Sequence, residues 1–513
     1  MSRRRKLLLI WAALAIALVS LPLITHYRAK AAVVKFKAQL RAQDEKLTID
    51  ELVPPPPMDK PNGASAVLNA MSRMTSFDYE LQPGVMKMLQ PGRGRICWQQ
   101  ATLPTEKSED IWPGVRAYIE TNRAALAELH EAIGQPVLQF QVQYHLGFNA
   151  GCSHLMQLKS ASQRLSAAAV MAMRDERTED AFANLRALIA LPAHHREEPF
   201  MISQLVRCAM VAIAAGPTWE GLHYPHWSEQ QLAQLQAAWE SLQVIPQMER
   251  ALAMERACVL VEYAGARESL NRLSQMSFPA GGTPLGDLAE VGNKMIEDPG
   301  KGLEEFMDRF PRRWVWKWWN CYHDELWFLQ TAQQVLDTAR KAANGTPFVP
   351  LQEDGKTNSL RRGETPRQFL LARLLEADTY AKALDKVAVT ETQRRVVVTV
   401  IAIERHRRRS GKLPAELAAL VPALLPAIPI DPMDGQPLRY RLTGTNSFVL
   451  YSIGLDGKDD NGDVSPKEPG SRNFFWTQSK DWVWPQPSRA EQLRDFNSQL
   501  EQKRAGKPPK GRR

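Results

Sequence analysis

The chain has 513 residues, 44% of them apolar, with 65 Lys and Arg against 56 Asp and Glu, for a formal charge of +9. That length exceeds one ordinary core and points to two or three domains, and the apolar share excludes a wholly disordered chain. Much of the basic excess sits at the two ends, Arg3-Arg4-Arg5-Lys6 and Lys503 to Arg513. No nucleic-acid module accompanies it, so the partner it suits is an anionic lipid surface and not nucleic acid.

Leu7 to Ile24 carries no charged residue. As an α-helix rising ~1.5 Å per residue it roughly matches a ~30 Å hydrocarbon layer, and a helix satisfies its own backbone there. The basic block before Leu7 favours a cytoplasmic N-terminus, and His26, Tyr27 and Arg28 mark the far interface. The reading is a single-pass inner-membrane anchor over residues 7–25, following a basic tail at 1–6, with the bulk of the chain extracytoplasmic. A cleaved signal peptide competes: Ala29-Lys30-Ala31 fits its small-x-small exit site crudely.

Residues 26–60 read as a stalk and linker, ending in the polyproline-favouring run Val53-Pro54-Pro55-Pro56-Pro57. Residues 61–275 read as an irregular antiparallel helical array. Leu232, Leu235, Trp239 and Leu242 fall on one helical face, as do Phe182, Leu185, Leu188 and Ile189. Gln163–Met173 and Glu179–Leu191 suit the arms of a helical hairpin, the second starting at acidic residues and stopping at Pro192. A Gly/Pro-rich loop follows at 276–302, then a helical, Trp-rich segment at 303–389 with Trp318 or Trp319, Tyr322, Leu326, Leu329 and Leu336 in a stripe.

The C-terminal module at 390–490 precedes a basic tail at 491–513. Thr390 to Gln393 has the capping-box spacing, so a helix is expected from there to Arg409, closed by Ser410-Gly411, with a short helix at Ala415–Leu420. Leu438–Leu442 and Phe448–Ile453 alternate as strands of a β-hairpin turning at Thr443–Asn446. Leu455 to Asp463 then gathers four aspartates against one lysine, a net −3. Crowded carboxylates on flexible glycines suit Ca²⁺, which takes ~6–8 oxygens, better than Mg²⁺ or zinc; a solvated acidic turn is the plain alternative. The fold class is therefore mainly α: a transmembrane helix, a helical array, and a small α+β module with a hairpin and acidic loop.

Arg405-His406-Arg407, Ser410-Gly411-Lys412-Leu413-Pro414, Asp431-Pro432, Asp434-Gly435-Gln436-Pro437-Leu438-Arg439-Tyr440 and Tyr451-Ser452-Ile453-Gly454-Leu455-Asp456-Gly457 occur in that order. The stretch Arg394–Asp463 resembles the C-terminal half of the major pseudopilin of type II secretion systems, whose Y-S-x-G-x-D-G loop binds calcium. By that resemblance Asp456 is a carboxylate ligand and Leu455 offers its carbonyl, with Asp463 a second carboxylate and Asp459 and Asp460 further candidates. The pseudopilin leader and its glutamate-bearing helix are missing, and one extra residue lies between Pro432 and Gly435, so a pilus subunit is not implied. The whole layout resembles large uncharacterised bacterial membrane-anchored proteins, and no activity comes with that resemblance.

Other candidates are weaker. Cys97, Cys152, Cys208, Cys258 and Cys321 form no CxxC pair, and their number is odd. His194-His195 with Glu197-Glu198 reads as a polar inter-helix loop flanked by Pro192 and Pro199, and His145, Cys152 and His154 do not share one helical face. Trp314, Trp316, Trp318, Trp319 and Trp327 beside Asp324 and Glu325 read as core packing, with a ligand platform, a membrane-interface belt or acid–base work as alternatives. Trp482 and Trp484 are expected to dock on the body. The preferred function is a non-enzymatic envelope protein that binds envelope partners and has a Ca²⁺-stabilised C-terminal module. An envelope hydrolase acting near the Trp-rich segment is the alternative.

Overall fold

The computed structural model describes residues 3–56, 60–75, 112–269, 314–353, 371–372, 378–465 and 479–487, with a few isolated positions; side chains of the first helix are described from Ser20 on, apart from Pro22. The expected Gly/Pro-rich loop, both chain ends and Cys97 lie outside these residues. Among the described residues the fold is mainly helical with one small three-stranded antiparallel sheet.

Helix α1, Arg3–Ala42, runs unbroken through Pro22. At ~1.5 Å per residue its forty residues span ~60 Å. The expected stalk does not stand clear of the body. Ala29, Val33 and Leu40 face inward at i, i+4 and i+11, and the segment seals against Tyr322, Leu326, Leu329 and Leu260. The turn after α1 is fixed by Glu45. Its carboxylate accepts from Arg256 at 2.8 Å, from Gln333 at 2.8 Å and from Arg340. Leu47, Ile49 and Leu52 are then buried, so the chain enters the proline run already docked.

Helices α2 (Ala64–Arg73), α3 (Trp112–Thr121) and α4 (Arg123–Ile133) lead to a 3₁₀ turn at Tyr144–Asn149 and the expected hairpin. Its arms, α5 (His154–Arg174) and α6 (Thr178–His194), are longer than the sequence suggests, and α6 carries Pro192 inside its last turn. A proline there removes one backbone donor in a turn that is ending anyway. Helix α7, Met201–Leu222, is apolar and long enough to cross a membrane, yet 61% of its most apolar window is buried, among α5, α6 and the later helices Ile245–Glu268 and Asp378–Ser410. It is a core helix, buried over most of its length and open at Ile202. Helix α8 (Glu229–Glu240) is opened by a capping box, with Ser228 accepting from Gln231 N–H, and buries the expected stripe Leu232, Leu235 and Trp239. Helix α9, Ile245–Glu268, packs on α10, Cys321–Ala343, which a π-turn at Trp316–Asn320 precedes. A short helix, α11 (Phe348–Glu353), follows.

Helix α12 runs Asp378–Ser410, so Thr390 is no N-cap. Its hydroxyl donates to the Lys386 carbonyl at 2.8 Å, and Thr390 to Gln393 are buried where α12 crosses α7 and α8. Tertiary burial has overridden the capping pattern. The helix stops at Ser410 with Gly411 in the left-handed region, as the sequence suggests. The expected helix at Ala415–Leu420 is a 3₁₀ turn over Leu417–Leu420. Strands β1 (Arg439–Gly444) and β2 (Ser447–Ser452) form the expected hairpin, with Tyr440 opposite Leu450. A third strand, β3 (Trp482–Val483), pairs with β2, and Trp482 and Trp484 are buried.

One buried apolar cluster runs from Ile49 through the hairpin, α7–α10 and α12 to Trp484. It crosses the positions near 276–302 and 390 where the sequence suggests divisions. The C-terminal module is tied in by Trp219 Nε1 on the Pro485 carbonyl at 2.8 Å and by Phe348 and Val349 N–H on the carbonyls of Pro432 and Met433, both at 2.9 Å.

Candidate functional site

Two places among the described residues carry ligand-type side chains, and the second of them brings three donor atoms to one point while the first does not. The first is the acidic loop. Strand β2 ends at Ser452, and the chain turns through Gly454 and Gly457, both left-handed. A Cβ on Gly457 would lie 2.7 Å from Val349 Cγ1, so glycine is required by both conformation and space. Leu455 is half-buried, and Asp456, Asp459 and Asp460 are exposed. Asp456 caps its own turn, accepting from Lys458 N–H at 3.4 Å. Asp459 accepts from the Tyr451 hydroxyl at 3.0 Å and Asn461 N–H at 2.9 Å and faces Arg439 at 3.4 Å. Asp463 accepts from Ser465 and pairs with Lys480 at 3.0 Å, which together hold its carboxyl down at about 2. Protein cations therefore neutralise part of the charge that the sequence leaves unbalanced.

Two aspartates that the loop pattern does not reveal complete the module. Asp431, fully buried, accepts from Ser452 Oγ, Met433 N–H and Ile453 N–H and binds the DP segment to the end of β2. Asp481, just before β3, is also fully buried; its Oδ2 accepts from Gly462 N–H at 2.7 Å and Asp463 N–H at 3.3 Å. Its Oδ1 has no hydrogen-bond partner. Burial pushes the Asp481 carboxyl up, with Asp459 adding to the effect. An unpartnered carboxylate oxygen beside an acidic turn is the kind of group a hard cation uses, but among the described residues the loop carboxylates do not converge with it on one point.

The second place lies at the open end of the α5–α6 hairpin. His154 begins α5, His195 follows the last turn of α6, and Glu198 lies in the link to α7. Antiparallel arms bring the start of one beside the end of the other. His154 Nε2 lies 3.1 and 2.9 Å from the two Glu198 oxygens, and its ring stacks on Phe140 at 4.7 Å. Ser203 Oγ donates to Glu198 Oε1, and Gln204 holds the Glu198 carbonyl at 2.7 Å. His195 is 2% exposed, and its Nε2 has no partner. Among the described residues, these three alone place at least three such donor atoms within 4.8 Å of one another.

Burial lowers His195 to about 4. Burial opposes the Glu198 carboxylate, but the His154 hydrogen bond and the nearby imidazoles outweigh it and keep its pKa below the usual range. Close by, burial pushes Glu255 up to about 7, with Met201 N–H at 3.1 Å opposing it, and raises the half-buried Cys152 thiol, helped by Glu198 and Glu255. Cys152, Cys208, Cys258 and Cys321 are all unpaired thiols. The sequence reading keeps His154 and His195 apart because it weighs each run on one helix. The hairpin it also predicts is the signal that could have joined them.

The Trp-rich segment divides. Trp316 is buried, and its Nε1 donates to Asp324 at 2.6 Å. Asp324 also accepts from the Tyr263 hydroxyl and from Leu371 and Ala372 N–H, and Glu325 pairs with Lys37 at 2.6 Å and with Arg267. Both carboxylates are fully buried and act as fasteners between helices. Trp314, Trp318 and Trp319 are exposed instead of packed in the core. No protein-family model, curated protein or solved structure matches the chain.

Proposed function

We propose that the chain is a membrane-anchored extracytoplasmic protein whose helical body presents a partner-binding surface at a bilayer. The observation that carries this reading is a collar of exposed aromatics where the apolar stretch of α1 ends. Trp314 and Trp318 are 55% and 54% exposed, and Trp319 and Tyr27 are also open. The π-turn that carries Trp318 and Trp319 packs on α1, and the His26 ring of α1 meets Tyr322 edge-on at 5.0 Å just beyond it. Leu21, Leu23 and Ile24 continue the apolar surface, with Arg28 and Lys30 exposed beside it. Aromatics at the end of an apolar helix, with cations just beyond, suit the headgroup layer. An enzyme at the Trp-rich segment has less support, since Asp324 and Glu325 are both engaged in the core.

A reporter that works only outside the cytoplasm, fused after Arg513, tests the orientation. Activity in the membrane fraction is expected; a cytosolic reporter sinks the proposal. Brominated lipids should quench tryptophan fluorescence of the reconstituted chain less in a Trp318→Ala/Trp319→Ala variant, and equal quenching would detach the collar from the bilayer.

A second reading concerns the C-terminal module alone, where the orphaned Asp481 oxygen favours it. Ca²⁺ there would be held by Asp456, the Leu455 carbonyl and Asp481, with Asp459, Asp460 and Asp463 contributing charge.

A further inference from the structure

We infer that His154, His195 and Glu198 form a buried transition-metal site, of the donor class that takes zinc(II), fastening the open end of the α5–α6 hairpin to α7. Three observations converge on it. The donor set is two imidazoles and one carboxylate, which suits zinc better than the oxygen-preferring Mg²⁺ or Ca²⁺. The ligand atoms already lie within 4.8 Å of one another, with all three residues buried. Two of them sit on the two arms of an antiparallel pair at its open end and the third in the link to α7, so no large movement is needed to close on an ion.

The competing account is a simple buried His154–Glu198 pair. It leaves His195 Nε2 unexplained: a polar atom in a 2% exposed residue, beside a carboxylate, with nothing to bond. A buried polar atom left without a partner is costly. A metal ion shared by the three side chains uses that nitrogen and supplies the positive charge that a buried carboxylate requires. The supporting shell is also present. Ser203 and Gln204 hold Glu198 by its carboxylate and its carbonyl, and Phe140 fixes the His154 ring face. Outer contacts of this kind orient metal ligands. Cys152, two residues before His154 and half-buried, is the thiol nearest in sequence for a fourth position, and water is the other candidate.

The full-length chain, purified in detergent and stripped with chelator, is dialysed against zinc and then challenged with a chromophoric chelator. About one zinc per chain should resist the challenge, and the melting temperature should rise on loading. His195→Gln and Glu198→Gln should each weaken retention at least tenfold, while Asp456→Ala leaves it unchanged. Cobalt substitution should give a visible four-coordinate spectrum, with a thiolate band if Cys152 ligates and none if water does. Wild-type protein that keeps no zinc and melts alike with zinc and with chelator overturns the site, whether or not the variants fold. Retention that survives both substitutions overturns it as well.

Discussion

Glu45 ties three helices together: it lies in the turn just past α1, and its side chain meets Arg256 of α9 and takes Gln333 and Arg340 of α10. Arg256 is fully buried, so Glu45→Ala strands a charge and should cost about 3–5 kcal/mol, read from urea denaturation. Arg340, Arg256 and Gln333 overcome the cost of burial and hold the Glu45 carboxyl down at about 2, against 4.5 when unfolded. The unfolded chain therefore takes up this proton first, and the stabilisation, complete above pH ~4.5, drains away as the pH falls towards ~2. Between pH 5 and 3 the wild type should lose more stability than Glu45→Gln; parallel losses would show that the carboxylate is not the sensor. In the acidic turn, Ca²⁺ at ~100 times its dissociation constant should add ~2.7 kcal/mol to the wild type. Asp481→Asn should abolish that increment, and melts indifferent to calcium and chelator would remove the ion from the module. None of these roles is visible in the residues themselves. Glu45, Asp431 and Asp481 are ordinary carboxylates by sequence, and most of their partners lie far along the chain.

At the scale of the element, local pattern and packing can be seen competing. The stripes Phe182–Ile189 and Leu232–Trp239 bury as their spacing predicts, because an amphipathic face has one low-energy place to go. The hairpin strands were also legible, from alternation and a turn. Thr390 shows the opposite case. A capping motif worth about 1 kcal/mol gives way to burial of a whole helical turn against α7 and α8. The tryptophans were half legible: Trp316 enters the core while Trp314 and Trp318, two positions to either side, fall on the opposite side of the helix and face out. The turn at Gly457 offers a direct test. Gly457→Ala combines a φ of +69° with a Cβ 2.7 Å from Val349 Cγ1, so it should destabilise by about 1–3 kcal/mol and loosen the contact with α11. Hydrogen exchange at Phe348 and Val349 should accelerate, and unchanged protection there would refute the contact's role.

For the molecule as a whole, composition announced a helical body, an apolar leader and a small mixed module. It could not show that the module shares one continuous core with the body, or that α1 seals against α9 and α10 in a smaller cluster of its own, because both closures depend on surfaces hundreds of residues apart. The His154, His195 and Glu198 grouping was hidden for the same reason. Under the proposed anchoring, the unbroken α1 has a mechanical consequence. The axis that enters the lipid is also a strut of the body, pinned by Ala29, Val33 and Leu40 and locked at Glu45, so no slack tether separates the two. Each copy would hold a set height and tilt above the bilayer and slide only within its plane. An encounter between neighbours then becomes a two-dimensional search between surfaces already levelled with each other, and a partner much taller or shorter than the body would miss it.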